Sequence, residues 1–193
     1  MSSRRSELTR VAAQLFAERG YHGTSIGDLA EAMGVQKGSL YHHIASKSDL
    51  LWAVAQEGAA AFHAALDAID ETLPATEKIR LALRAHLAVV AGQLDLATVF
   101  TKEWTALEGD RRAQFVAERR RYEERLRAFF RDGRERGELR SDLDETAAAL
   151  LALSAGNWAY TWLRPGADTD ELADRFTALL VDGIRGYATR PVD

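Results

Sequence analysis

The chain predicts an all-α fold, and three observations carry that prediction. Alanine, the strongest helix former, occurs 34 times in 193 residues, and proline only three times. Apolar residues recur at three- and four-residue spacings along most of the length, the period of helices buried on one face. Near the N-terminus two short apolar faces flank a glycine-containing turn, the pattern of a helix-turn-helix.

The elements follow in order. Leu8, Val11, Ala12, Leu15 and Phe16 share one helical face, and Gly20 can take the left-handed conformation that ends a helix. Ser25 precedes Ile26 with Asp28 three residues on, a capping box. Ile26, Leu29, Ala30 and Met33 give a second face of about two turns, closed by Gly34. A third segment is expected from Gln36 to His43, anchored by Leu40, with Val35 leading into it. Ser46 and Asp49 form another capping box and start a long fourth helix through Leu50, Leu51 and Val54.

After Leu73-Pro74 the pattern restarts at Thr76, with Ile79, Leu83, Leu87 and Val90 as its stripe. Leu94 to Leu107 follows, and Asp110 can cap a long helix to about Arg136 that Gly133 and Gly137 weaken at its end. Asp142 or Asp144 starts a helix running to Leu163, which Arg164-Pro165-Gly166 breaks. Leu172, Phe176, Leu179, Leu180 and Ile184 make a final apolar face, with Gly186 near its end. Two domains are expected, residues 1–50 and residues 51–193.

Composition narrows the function. The chain has no Cys, which excludes disulfides, thiolate nucleophiles and Cys-based zinc sites. Net charge is −4, unlike a generic nucleic-acid binder. Charge is uneven, however: residues 1–50 carry +1, residues 111–140 carry +5, and the remainder carries −10. A near-neutral head on an acidic body can still bind DNA through a small, geometrically specified contact. The polar start, Met1 to Arg10, lacks the apolar core of an export signal, so a cytoplasmic location is expected. Thr146 to Leu163 is uncharged for 18 residues but holds Ser154, Gly156, Asn157 and Thr161. A helix covered by a protein interface fits that run better than a membrane span.

Several outward residues of the third segment suit a major groove. Gln36 can pair with adenine in bidentate fashion, and Lys37 can reach guanine or a phosphate. Gly38 leaves room for close approach, Ser39 and His42 offer hydrogen-bonding groups, and Tyr41 offers a phenol to a phosphate. Lys47 lies in the first turn of the next helix, where an anion is favoured. The same residues also suit the solvated face of any small bundle. His42 and His43 point about 100° apart on a helix and do not make a metal pair.

The run from Leu15-Phe16-Ala17-Glu18-Arg19-Gly20-Tyr21 to Thr24-Ser25-Ile26 matches a family pattern. So do Asp28-Leu29-Ala30-Glu31-Ala32-Met33-Gly34-Val35, Gly38-Ser39-Leu40-Tyr41-His42-His43, Lys47 and Leu50-Leu51. Together they resemble the DNA-binding domain of the TetR family of bacterial transcriptional regulators, over about residues 8 to 52. One departure is Ile44, where that family usually has Phe; both are core fillers. The resemblance implies a two-domain, all-helical homodimer on a near-palindromic operator in double-stranded DNA. It implies phosphate contacts from Thr24, Ser25, Tyr41 and Lys47, and base-edge contacts from Gln36, Lys37, Ser39 and His42. A dimer would also bury the uncharged helix and the last one against their copies, in a four-helix interface.

Gly137-Glu138-Leu139-Arg140-Ser141-Asp142-Leu143-Asp144, then Asn157-Trp158 and Trp162-Leu163-Arg164-Pro165-Gly166, resembles the TetR subgroup of fatty-acid, steroid and aromatic-acid catabolism. Several of those regulators respond to acyl-CoA thioesters, so the resemblance implies such an effector; a hydrophobic drug-like ligand is the alternative. Phe100, Trp104, Phe115, Tyr122 and Trp158 are candidates to line its cavity, with His86, Gln93, Thr101 and Asn157 as polar markers. Each can equally be core. The eleven arginines of residues 111–140 can bind an anion, or can form a solvated face paired to Glu118, Glu123 and Glu124. No phosphate loop, paired-His metal motif or nucleophile elbow occurs, so a regulator without a cofactor is expected, with an all-α enzyme as the lesser alternative.

Overall fold

Local signals set the boundaries of the N-terminal helices. Helix α1, Ser3–Arg19, ends where Gly20 turns to φ 76°. Helix α2, Ile26–Ala32, starts on the full Ser25–Asp28 capping box: the Asp28 amide donates to Ser25 Oγ at 3.1 Å, and the Ser25 amide donates to Asp28 Oδ2 at 2.7 Å. Helix α3 is shorter than expected, Lys37–Leu40, and gives way to turns through His43. Helix α4, Lys47–Asp67, starts on Ser46, whose Oγ accepts the Asp49 amide at 3.0 Å and whose hydroxyl donates to the Asp49 carboxylate at 2.8 Å.

The molecule is described here as a computed structural model covering residues 3–163 and 167–186. The rest of its described elements are also helical. They are α5, Ala75–Gly92; α6, Leu94–Thr101; a 3₁₀ turn, Glu103–Ala106; α7, Gly109–Glu135; α8, Glu145–Asn157; α9, Ala159–Trp162; and α10, Thr169–Gly186. Two expected runs are interrupted. Leu94 to Leu107 splits at Lys102, and the uncharged helix stops at Asn157, with Trp158 as its cap. Asp144, not Asp142, caps α8, by accepting the Thr146 and Ala147 amides at 3.0 Å. Gly109, at φ 54°, opens α7, so Asp110 lies inside its first turn. Arg164-Pro165-Gly166 and the side chain of Ile184 fall outside the described residues. Among the described residues no single helix is long and apolar enough to cross a membrane.

Packing divides the chain otherwise than at residue 50. The described residues of Met1–Ala61 and Gln93–Glu118 form one compact unit, and those of Phe62–Gly92 and Arg119–Asp193 form the other. In the first, α1 packs against α6. Leu8, Phe16, Leu29, Leu40, Leu51 and Phe115 are enclosed there, and Ile44 is buried as a core filler. In the second, α10 lies along α5, and α8 and α9 also pack on α5. Phe62, Ile79, Leu87, Phe130, Ala149 and Ala173 are enclosed there.

A buried charge ties α5 to α7 in the second unit. Lys78 is 3% exposed, and its Nζ donates to Asp132 Oδ2 at 2.6 Å and to the Glu71 carbonyl at 3.3 Å. The Lys78 bond holds the Asp132 carboxyl below its ordinary range, with Arg136 adding to the effect. A buried ammonium is tolerable only with such partners. Arginines of the Arg-rich helix pair with carboxylates on the same helix and on its neighbours. Arg127 meets Glu123 at 2.6 Å and Glu124 at 3.1 Å, Arg131 meets Glu124 at 3.0 Å, and Arg134 meets Glu145 at 2.9 Å.

The last helix turns a different face inward than its apolar stripe suggests. Ala173, Thr177 and Val181 are buried, whereas Leu179 is 76% exposed. Leu150, Leu151, Trp158 and Trp162 are exposed as well. An apolar trough of about 230 Å³ lies in this region of the second unit, between α5, α8 and α10, lined in part by Leu151, Ala155, Phe176 and Leu179.

Candidate nucleic-acid interface and effector region

Helices α2 and α3 form a helix-turn-helix within the first unit. Gly34 makes the turn at φ 63°, where a side chain would be strained. Leu29, Ala30 and Leu40 face inward. Gln36, Lys37, Gly38, Ser39, Tyr41, His42 and His43 are all exposed, and none of them carries a carboxylate. Nothing lies within 4 Å of where a Cβ on Gly38 would stand. A helix edge of this kind, with polar donors and acceptors around an open glycine, fits the width of a major groove.

The turn between α1 and α2 is held by side chains from elsewhere in the first unit. Lys47 Nζ donates to the Tyr21 and Thr24 carbonyls, each at 2.8 Å, and stands 4.2 Å from the Tyr21 ring centroid. The Thr24 hydroxyl donates inward, to the Gly20 carbonyl at 2.9 Å and the Leu15 carbonyl at 3.2 Å, and the residue is 1% exposed. These contacts correct two expectations. Thr24 is enclosed and does not present its hydroxyl to a phosphate, and the Lys47 ammonium is committed to the turn's own carbonyls. Ser25 remains exposed, with its Oγ capping α2.

Two further residues complete this network, and sequence reasoning missed both. Glu103, on the 3₁₀ turn, accepts the Tyr21 amide at 2.8 Å. Arg111 reaches the Asp49 carboxylate and, at 3.3 Å, the Ser48 hydroxyl. The Arg111 bond is the main cause that holds the Asp49 carboxyl below its ordinary range, and burial pushes the Tyr21 phenol up. A signal for Glu103 existed. It lies three and four residues after Phe100 and Val99, and so on their buried face.

The nine residues expected to meet a ligand do not share one unit. Gln93, Phe100, Thr101, Trp104 and Phe115 belong to the first, and His86, Tyr122, Asn157 and Trp158 to the second. Phe100 and Phe115 pack edge to face at 5.2 Å, and Trp104 stacks on Phe115 at 5.9 Å. Gln93 is exposed, and the Thr101 hydroxyl donates to the Ala97 carbonyl at 2.7 Å. In the second unit His86 Nδ1 lies 3.0 Å from the Tyr122 hydroxyl, with Phe62 beside both rings. Burial pushes the His86 imidazole down to about 4 and the Tyr122 phenol up. Asn157 is half-buried at the end of α8. Trp158 departs from expectation, because it is 62% exposed and its ring stacks near Tyr160 instead of lining an enclosed cavity. Among the described residues no group of His, Asp and Glu is placed to hold a metal.

Two family models match the chain: bacterial regulatory proteins of the tetR family over residues 8–54, and the tetracyclin repressor-like C-terminal domain over residues 72–184, more than half its length. The chain belongs to the TetR family. This TetR-family protein is a DNA-binding transcriptional regulator, and regulators of the family bind DNA as homodimers. The transcriptional repressor KstR2 of Mycobacterium tuberculosis is 26% identical over 95% of this chain and 94% of its own. The fatty acid metabolism regulator protein of Bacillus subtilis is also 26% identical, over 92% of this chain and 94% of its own. Among solved structures, PfmR from Thermus thermophilus superposes with a TM-score of 0.84 at 32% identity, over 91% of this chain and 97% of its own. AibR in complex with isovaleryl coenzyme A and operator DNA gives 0.85 at 28% identity, over 93% and 98%.

Proposed function

We propose that this TetR-family protein represses transcription by reading a near-palindromic operator with α3 of each subunit of a homodimer. The observation that carries the proposal is the exposed, carboxylate-free edge of α3. Gln36, Lys37, Ser39 and His42 meet base edges there, and Gly38 permits the close approach. Ser25 and Tyr41 meet phosphates. Thr24 and Lys47 act from behind, by holding the turn that carries α2. Residues 1–50 serve DNA binding, and residues 51–193 serve effector binding and dimerisation. The exposed Leu150, Leu151, Trp158, Trp162 and Leu179 supply an apolar face for the second subunit. Regulation, not catalysis, is the activity, and it takes place in the cytoplasm, where the DNA is.

The effector of this reading is an acyl-CoA thioester. The complex of the neighbour AibR with isovaleryl coenzyme A and the likeness to a fatty acid metabolism regulator support it. Binding shifts the regulator only if the thioester prefers the conformation that no longer fits DNA.

Selection from a randomised duplex library at physiological salt tests the DNA reading. The expected result is one near-palindromic sequence bound by a dimer; equal affinity for random duplex overturns it. Isovaleryl-CoA and palmitoyl-CoA are then added to the complex. Release at micromolar concentration by either is expected, and release only by uncharged drug-like compounds overturns the acyl-CoA assignment.

A further inference from the structure

We infer that Glu103 is a positioning residue for DNA reading: it fixes the turn that leads into the helix-turn-helix by accepting the Tyr21 amide. The inference rests on the reading of α3 as the DNA-contacting helix. At the end of α1 the Gly20 amide still bonds back to the Phe16 carbonyl, at 3.0 Å. The next amide, that of Tyr21, goes to Glu103 Oε2, 2.8 Å away and 82 residues distant in sequence. A backbone amide at a helix end needs a partner, and a carboxylate is a strong one.

The geometry around this bond is constrained on both sides. Glu103 is 9% exposed, and its other oxygen lies 3.6 Å from Lys102 Nζ. The Glu103 carboxylate packs beside Gly20 without crowding it, since even a Cβ there would stand at an ordinary contact distance of 3.7 Å from Oε2; the glycine serves the positive φ of the turn. Lys47 in turn holds the Tyr21 and Thr24 carbonyls. The turn is therefore gripped by an anion on its amide and a cation on its carbonyls. Ser25, the cap of α2, follows it directly. Loss of the Glu103 bond frees one edge of the turn and with it the start of α2, on which α3 packs.

Reach and charge separate cleanly at this position. Glu103→Gln keeps an oxygen at the same reach without the charge. Glu103→Asp keeps the charge and withdraws it by one methylene. Three readouts are taken on the full chain: affinity for the duplex that the wild-type protein selects, unfolding temperature, and Tyr21 amide exchange by NMR. The expected result is binding by Glu103→Gln within about threefold of wild type, and a loss of about tenfold or more in Glu103→Asp. The Tyr21 amide should exchange faster in Glu103→Asp alone, with unfolding temperatures within about 5 °C of wild type. Wild-type affinity in Glu103→Asp overturns the inference. So does a loss in Glu103→Gln as large as in Glu103→Asp, which would show that an oxygen at the right reach does not suffice to hold the turn. The α3 reading fails by a different result, unchanged binding by Gly38→Glu, which leaves the comparison between the Glu103 variants intact.

Discussion

His86 Nδ1 and the Tyr122 hydroxyl lie 3.0 Å apart, joining α5 to α7 inside the second unit, with both residues buried. Burial is the largest cause that lowers the His86 imidazole to about 4; the Gly156 backbone opposes it and Arg119 adds to it. The unfolded chain takes up this proton near pH 6.5, whereas the folded one resists it down to about 4. Stability from this group is complete above about pH 6.5 and is lost as pH falls through the window to 4. Urea unfolding at pH 7 and pH 5 should differ by about 2 kcal/mol more in the wild type than in His86→Gln. Parallel pH profiles for the two proteins would show that His86 is not held neutral.

The His86 ring lies against Gly156 of α8. A Cβ at that position would stand 2.6 Å from His86 Cδ2 and 2.8 Å from Nε2. The ring is buried and packs against Phe62 and Tyr122, so Gly156→Ala should destabilise by about 1–3 kcal/mol despite the better helix propensity of alanine. Chemical denaturation reads this directly, and a stabilised Gly156→Ala would mean that the contact is loose.

Lys47 separates two roles by salt dependence. A lysine on a phosphate contributes about one unit to the slope of log affinity against log salt. The ammonium is bonded to the Tyr21 and Thr24 carbonyls instead. Lys47→Met should therefore lower the unfolding temperature and weaken DNA binding while leaving the salt slope unchanged. A slope lower by about one unit with unchanged stability would return Lys47 to the phosphate contacts.

Which parts are legible in the sequence follows from the range of the interactions. Gly20, Gly34 and the Ser25–Asp28 box act within four residues, and each ends or starts its helix as the sequence indicates. The inward anchors Leu29 and Leu40 follow from helical period alone. Thr24, Lys47 and Glu103 depend on partners 4 to 82 residues away; residue type suggests phosphate contacts for the first two, and helical period gives the burial of Glu103 but not its partner. The break of the uncharged run at Trp158 follows Gly156-Asn157, but Gly156 is itself helical, so neither residue announces a stop by type alone. The inward face of α10 is not legible because the helix is apolar on more than one face, and period does not say which is internal.

Leu179, the most exposed large apolar residue of that surface, should matter more to assembly than to folding. Leu179→Glu places a charge at the face proposed for the second subunit. Sedimentation should show a monomer with helical content retained, and operator affinity should fall because one head per molecule meets only one half-site. A Leu179→Glu dimer with full affinity would move the interface elsewhere.

Gly38 gives the most direct measurement on the central claim, that the α3 edge reads DNA. Its φ is not positive and nothing lies within 4 Å of where its Cβ would stand, so Gly38→Glu adds no strain. The first turn of a helix also favours an acid. The variant should keep the circular dichroism and unfolding temperature of the wild type. Titrated into the selected duplex, it should lose binding by about a hundredfold or more, since bulk and negative charge then face the phosphates and base edges. Wild-type affinity in a folded Gly38→Glu protein would contradict the assignment of α3 as the DNA-reading helix.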